Sequence, residues 1–590
     1  MRDFLTRQLG VCLCALALAS MAFGQERRPG GGQSQVVLRA TTRLVQVNVI
    51  VQDKKGEPVP GLTREDFTLL DSGKEQEIAV FSIESNRVLP GPLQLLPPNV
   101  FSNRWESRDG VPTSVTVILL DNLNTEFEDQ VYARNQVIKF LRKLQPQDRV
   151  ALYTLGTSLR IVQDFTSDVT PLLRALDRQA GRVPVELQAS EPAGGNITDA
   201  EFQAAKPAGV SITGAGSQAS NPIGTDITGG AGDLDLAALQ ASGFLLNPTR
   251  RMAEYYTLRR AEATAGALEG IANHLAKLPG RKNLVWISSS FPIWMGFDST
   301  VPMADKRMFS REIERAVQAL NDANLAVYPV DPRGPIPPNG VQTGGGGVPT
   351  GDGFQNIRLG QDTMVNLAEG TGGRVFFNTN DIAGAVRTAI DESQLTYLLG
   401  YYPTHGQWDK SFHAIKVRVD RPGVSVRCRR GYFAMPEEQL DEKERKEVFD
   451  SAARGPLDAT GVGIYARLIP SRPGSDTLGI ELIVVPEDIS LQGEKDRWVG
   501  SLELVFLQRA ADGKVLDGTS KTLFLNLKGE TYRKLRQDGL VLERSEKLAP
   551  GAVELRIVVR DAPSGSMGSV SVPLSRVIGM TTSSPPPKGL

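Results

Sequence analysis

The chain has 590 residues, with 66 Lys plus Arg against 67 Asp plus Glu and a formal net charge of −1. That length exceeds a single hydrophobic core and calls for two to four domains. The balanced charge excludes the global basic field that recruits nucleic acid and the acidic excess that keeps a chain unfolded, so partners have to be sought at local sites.

In chain order, Arg2 and Arg7 precede an apolar stretch from Leu9 to Phe23, and Ala22-Phe-Gly24 places small residues before Gln25. This is the pattern of a secretory signal over 1–24, and its apolar part is shorter than the roughly 20 residues that span a bilayer. Cleavage removes Cys12 and Cys14 and leaves Cys428, which excludes an intrachain disulfide. The mature chain is expected to be secreted or periplasmic, with no transmembrane segment. Residues 25–35 read as a flexible leader.

An N-terminal β segment covers 36–110. Val45, Val47, Val49 and Val51 alternate with mostly polar residues up to the turn Asp53-Lys-Lys-Gly56, and further strands are expected at Phe67–Leu70 and Ile78–Ile83. From 111 to 403 strands alternate with helices, the signature of a parallel α/β sheet. The strands are Val115–Leu120, the pair Val150–Leu155 and Leu159–Val162, Leu284–Ile287, Ala326–Val330, Arg374–Phe377 and Leu395–Tyr402. Flexible insertions are expected at 183–250, with a short helix possible over Leu234–Leu246, and at 332–358. Residues 404–435 read as a β hairpin, His413–Asp420 with Val424–Arg430, that pairs with the N-terminal β segment and makes the α/β domain an insertion in a small β domain. Val424, Val426 and Cys428 share the apolar face of its second strand, so the thiol reads as buried and inert; Arg427, Arg429 and Arg430 read as a solvated stripe. A charged spacer at 436–454 leads to alternating runs over 455–578, expected to form an immunoglobulin-like β-sandwich, and 579–590 read as a disordered tail.

Ligands of an open parallel sheet bind beyond the carboxyl ends of its strands. Those ends carry Asp121, Ser288-Ser-Ser290 and Asp331. Thr125 lies four residues after Asp121, and Thr125-Glu-Phe-Glu128 has the form of a capping box. Thr264 precedes the apolar helical positions Leu268, Ile271 and Leu275, where an exposed mid-helix threonine is the alternative reading. Asp121 equally suits hydrogen bonds from nearby backbone amides. Asn122, Asn124, Asp298 and Asp331 are further oxygen donors.

Enzyme signatures are scarce. His274 falls on a helix, His405 in a turn and His413 at a strand start, and no HExxH or CxxC spacing makes a zinc site. No phosphate-binding glycine loop follows a strand, and Ser288–Ser290 lack the Gly-x-Ser-x-Gly frame.

The stretches Val47-Asn-Val-Ile-Val-Gln-Asp53, Gly61-Leu-Thr-Arg-Glu-Asp-Phe67, Leu119-Leu-Asp-Asn-Leu-Asn-Thr125, Leu278-Pro-Gly-Arg-Lys-Asn-Leu-Val-Trp-Ile287, Tyr397-Leu-Leu-Gly-Tyr-Tyr-Pro403 and Arg430-Gly-Tyr-Phe433 resemble, in order, the secreted von Willebrand factor A-related family described from acidobacteria. The resemblance spans about 40–433 and implies a Rossmann-like vWA domain, a mostly parallel six-stranded sheet with helices on both faces. It also implies a binding role without an assigned reaction. In such a domain the metal-ion-dependent adhesion site draws on Asp-x-Ser-x-Ser, a second-loop Thr and an Asp from Thr-Asp-Gly. Asp121, Thr125 and Thr264 match in part. Leu123 and Ser289 replace a hydroxyl and a carboxylate, which makes the site degenerate and weakens the case for the Mg2+ or Mn2+ that such oxygens would take.

The expected fold is therefore multidomain α/β plus β. The expected function is an exported, non-enzymatic protein-binding or adhesion module using a crevice lined by Asn122, Asn124, Ser288, Ser289 and Asp331, without nucleic acid. Two alternatives are a structural cell-envelope component that makes its contacts through the C-terminal β-sandwich, and a metal-dependent hydrolase using Ser289 or Asp121.

Overall fold

The structure is a computed structural model. It describes residues 44–85, 96–104 except 98, 114–178, 234–289 except 279, 310–335, 351–434 except 406, 407, 409 and 410, 455–470, 476–494 and 496–578. The signal, the leader, the spacer at 436–454, Ser290, Asp298, residues 183–233 and 336–350, and the tail from 579 lie outside the described residues.

The chain opens with β1 (Val45–Gln52), β2 (Phe67–Asp71), β3 (Lys74–Gln76), β4 (Val80–Ser85) and β5 (Val100–Ser102). The α/β part follows with β6 (Val115–Asp121), α1 (Phe127–Leu141), β7 (Val150–Leu155), β8 (Leu159–Thr166), α2 (Val169–Asp177), α3 (Leu234–Leu275), β9 (Lys282–Ile287), α4 (Ser310–Asp322), β10 (Leu325–Val330), α5 (Gly351–Thr371) and α6 (Ile382–Asp391). Every residue of β6, β7, β9 and β10 is buried. Strands buried along their whole length suit a sheet covered on both faces. Val117, Leu119 and Trp286 enter one core with α3, while Ile118, Leu120 and Val285 enter another with α1 and α6. The alternation of strand side chains thus fills two cores from one sheet.

The sheet order is β10-β9-β6-β7-β8. All neighbours are parallel except β8, which closes the edge antiparallel to β7. The winding reverses between β6 and β9, so their carboxyl ends flank the topological switch point, where this class of sheet opens a crevice.

The sixth strand differs from expectation. Arg374–Phe377 gives a single parallel bridge, Val330 to Phe376, so five strands and a stub replace six. The approach is tight: a Cβ on Gly373 would sit 1.8 Å from the Val327 carbonyl oxygen. Leu395–Tyr402 belongs elsewhere, as β11 (Leu395–Tyr401), antiparallel to both β1 and β4 with Val47 opposite Leu399. An apolar strand buried on both sides reads alike in either sheet. The partner β1, with its row of buried valines, decides the matter.

After β11 come β12 (Phe412–Val419), β13 (Ser425–Arg427) and β14 (Gly431–Phe433). Sheets β13-β1-β11-β4 and β14-β12-β2-β3 share a core of Val47, Val49, Leu69, Tyr397 and Val417. The later strands therefore pair with the N-terminal ones, as expected. They do not form the expected hairpin, because β12 pairs with β2 and β14 while β13 pairs with β1. At Arg421-Pro-Gly423, with Gly423 at φ +78°, the chain passes from one sheet to the other. The arginine stripe is also not solvated throughout: Arg427 pairs with buried Glu392, and the Arg429 guanidinium lies 5.9 Å from the centre of the Tyr432 ring. Cys428 is a free, half-buried thiol, and burial pushes it up to about 11.

The C-terminal part contains β15 (Ile464–Pro470), β16 (Thr477–Val484), β17 (Gln492–Glu494), β18 (Arg497–Arg509), β19 (Val515–Lys528), α7 (Gly529–Asp538), β20 (Leu540–Lys547), β21 (Glu554–Asp561) and β22 (Met567–Pro573). Leu468, Ile480 and Leu482 from one sheet meet Leu504, Ile557 and Val570 from the other in a common core. The first sheet, β20-β16-β15-β5, takes its edge from a distant part of the sequence, since Phe101 of β5 lies opposite Ala466. The segment 36–110 therefore serves two domains. Further ties are Asn103 Nδ2 donating to the carbonyls of Ala459 at 2.6 Å and Val462 at 2.8 Å, and His274 Nδ1 at 2.6 Å from the Asp458 carbonyl.

Two expected insertions are shorter than their composition suggests. Residues 234–250 belong to α3 and 351–358 to α5, because both continue helices whose later turns pack on the sheet.

Candidate functional site

The chain leaves β6 at Asp121 and turns at once. Asp121 Oδ1 accepts from the backbone amides of Leu123 at 3.1 Å and Asn124 at 3.0 Å, an Asx-type turn that carries the chain toward α1. Leu123 is buried in the core with Leu119. Asp121 Oδ2 accepts three more bonds, from Asn124 Nδ2 at 2.8 Å, Trp286 Nε1 at 3.0 Å and Ser288 Oγ at 2.9 Å. A carboxylate that is only 1% exposed thus has five donors around it.

Asn124 is the hub of the next layer. Its Nδ2 also donates to Thr264 Oγ1 at 2.9 Å, and its Oδ1 accepts from Arg260 Nε at 3.1 Å. Thr264 is fully buried rather than exposed, and its hydroxyl donates to the Arg260 carbonyl one helical turn back at 2.8 Å. On the other side, Thr125 Oγ1 accepts from the Ser289 amide at 3.2 Å, and Ser289 Oγ donates to Asp129 Oδ2 at 3.0 Å. Gln130 Nε2 spans the turn to the carbonyls of Asn122 at 3.2 Å and Thr125 at 2.7 Å.

The capping box does not form. The N-cap of α1 is Glu126, without a side-chain cap bond, because the helix starts at Phe127 and Thr125 is turned to the end of β9. Asp331 is close in the fold but bound elsewhere: Arg333 grips it through Nε to Oδ1 at 2.9 Å and Nη2 to Oδ2 at 2.7 Å. Asp121, Asn124, Thr264 and Ser288 therefore form one bonded network, Thr125 and Ser289 an adjoining pair, and Asp331 a separate clamp. Asn122 contributes backbone to the turn.

Burial raises the Asp121 carboxyl above its ordinary value, against the opposing pull of its hydrogen bonds to Asn124, Ser288 and Trp286. Burial also raises Asp129, opposed by the Ser289 bond and Arg333 and reinforced by Asp331 and Glu128. A hard cation would need these oxygens facing it. Both Asp121 oxygens are turned to protein donors, the Thr264 hydroxyl sits between Asn124 and the Arg260 carbonyl, and Asp331 is held by a guanidinium. The residues are a poor fit to Mg2+ or Mn2+.

Sequence reasoning missed Arg260, Trp286, Asp129, Gln130 and Arg333. A buried indole N–H requires a partner, and Arg260 lies one turn before Thr264, so signals for these two were present. Asp129 and Gln130 sit on the first turn of a helix that starts beside the crevice. Arg333 left no local signal.

Among solved structures, the chain is similar to an aerotolerance-related membrane protein from Bacteroides fragilis (14% identity, covering 48% of this chain and 100% of that one, TM-score 0.23). It is also similar to the pilus adhesin SpaC from Lactobacillus rhamnosus GG (9%, 78% and 53%, 0.25) and to a von Willebrand factor type A protein from Catenulispora acidiphila (10%, 85% and 75%, 0.20). No family model matches the sequence, and no curated protein matches it. Such TM-scores carry no functional argument, and the reading of the site rests on its own geometry. Among the described residues, no helix is long and apolar enough to cross a membrane.

Proposed function

We propose that the chain is an exported, non-enzymatic protein-binding or adhesion module whose vWA-like α/β domain engages a partner at the strand-end crevice between β6 and β9, without a bound cation. The supporting observation is the bonded network around Asp121 at the switch point: it fixes the crevice floor by hydrogen bonds and leaves contact to the rim. That rim begins at the first turn of α1, where Phe127 is 46% exposed between Glu126 and Glu128, and Val131 is exposed one turn on. An exposed aromatic among carboxylates suits an apolar pocket with basic surroundings on the partner.

The test is affinity capture from an exported-protein fraction, with and without chelator. Phe127→Ala should abolish capture of the specific partner, and chelator should leave it intact. Loss of capture on chelation would replace the metal-free reading with the cation-assisted one.

A second reading makes the C-terminal sandwich, taken as immunoglobulin-like, the contact surface of a cell-envelope component. It rests on Phe524 of β19, which is 80% exposed. Phe524→Ala would then abolish capture while Phe127→Ala would not. Deletion of 455–590 cannot decide between the two, since it would leave β5 without the strand it pairs with.

A further inference from the structure

Two of the three histidines meet far from the crevice, around the end of β2. Asp71, only 3% exposed, closes that strand, His413 begins β12 beside it, and His405 lies in the turn that follows β11. We propose that Asp71, His405 and His413 form a binding site for one divalent transition-metal ion of the Zn2+ class.

One ligand atom from each residue lies within 4.8 Å of those of the other two. The imidazole rings lie against each other with centroids 4.0 Å apart and an interplanar angle of 31°. Asp71 Oδ1 is 3.1 Å from His413 Nδ1. A tetrahedral ion with bonds of about 2.0–2.1 Å holds its ligand atoms roughly 3.3 Å apart, so the two groups already stand near the spacing of one edge. A metal there takes the place of the proton that His413 shares with the carboxylate, and that proton is released to solvent.

The surroundings are those of a supported site. Asp71 Oδ2 accepts from Tyr401 Oη at 2.8 Å and Tyr432 Oη at 2.9 Å, which fixes the carboxylate plane, while Oδ1 faces His413 Nδ1 and also accepts from Ser72 Oγ at 3.1 Å. Ser411 Oγ is 3.1 Å from His413 Nε2, and Tyr432 Oη is 2.8 Å from His405 Nε2, so each ring is oriented by a hydroxyl at its Nε2. Hydrogen bonds of this kind set the direction and basicity of ligating side chains. Two imidazoles and one carboxylate select zinc-like ions over Mg2+ or Ca2+, which take oxygen sets, and three protein ligands leave a fourth position for water. The ion would fasten His405, after β11, to β2 and β12. No sequence spacing announces the site, because His405 and His413 are eight positions apart while Asp71 comes from the first β segment.

The test is calorimetric titration of ZnCl2 into the full chain, made without a histidine tag and stripped with chelator, with MgCl2 as control. The expected result is one Zn2+ per chain with micromolar or tighter affinity and no Mg2+ signal. His405→Ala and His413→Ala should each weaken binding at least tenfold, and Tyr401→Phe about ten- to a hundredfold through the lost outer contact. His274→Ala should leave it unchanged. Circular dichroism checks that each variant folds, and His405→Gln, a milder change in the turn, should show the same loss if His405→Ala does not fold. Absence of binding, or equal affinity in folded wild-type and His405-substituted chains, overturns the proposal. The measurement needs no protein partner, so its outcome is separate from that of the crevice reading.

Discussion

Asp121 and Asp71 are both strand-end carboxylates, 1% and 3% exposed, yet their titration is displaced in opposite directions. Around Asp121, burial outweighs bonds from amides, an indole and a hydroxyl, and the carboxyl is raised. Around Asp71, burial also pushes upward but is overcome by Tyr401, Tyr432 and His413 together, and the carboxyl is lowered. The number of hydrogen bonds does not set the result. At Asp71 the two tyrosine hydroxyls and the His413 ring together outweigh burial, and the charge attraction of His413 is the smallest of these contributions.

The largest expected effect that would break this comparison is at the crevice. Asp121→Ala leaves five donors facing a void and should cost about 3 kcal/mol or more in urea unfolding, since each buried unsatisfied group costs about 1–3 kcal/mol. A loss under about 1 kcal/mol would mean that water replaces the carboxylate. Next, in metal-free protein, Asp71→Asn should cost about 1–2 kcal/mol, because the amide still accepts on one side but turns a donor toward its neighbours.

A pH series sharpens the contrast. Asp121, raised in the fold, contributes stability that is fully present below its ordinary value near 3.8 and lost as pH rises through its folded value. Asp71, lowered in the fold, contributes stability that is present above 3.8 and lost as pH falls through its folded value. Acidification from pH 6 to 3 should therefore move the difference between wild type and Asp121→Asn in favour of wild type. Against Asp71→Asn in chelator-treated protein, the same change should move it the other way. Parallel slopes would contradict the assignment. The smallest effects are at single donors: Trp286→Phe and Tyr401→Phe should each cost about 1 kcal/mol without metal, read from chemical unfolding midpoints.

Much of the scaffold was legible because burial writes periodicity into sequence. The valines of β1 and the largely apolar runs of β6, β9 and β10 specify strands without help. The sheet that receives a strand is a tertiary decision, so β11 was placed with the wrong partners, and three-residue β5 left no pattern at all. At the site, Asp121 and Ser288 were singled out by their places at strand ends, and Thr264 only through the family resemblance. Thr125 was misread because the Ser289 amide, two residues beyond β9, outcompeted its own helix. The Asp71 cluster stayed hidden since its members converge only after two sheets have formed.

The pairing of β5 with β15 also bears on the order of assembly. Ser102 bonds to the carbonyl of Ile464, 362 positions later, so an early strand waits for a segment that is made much later. Contacts of such sequence separation slow folding, and an unpaired edge invites association with other chains. A chain interrupted before β15 would therefore be an aggregation hazard rather than a smaller working protein, and synthesis of β15 becomes a condition for a paired β5.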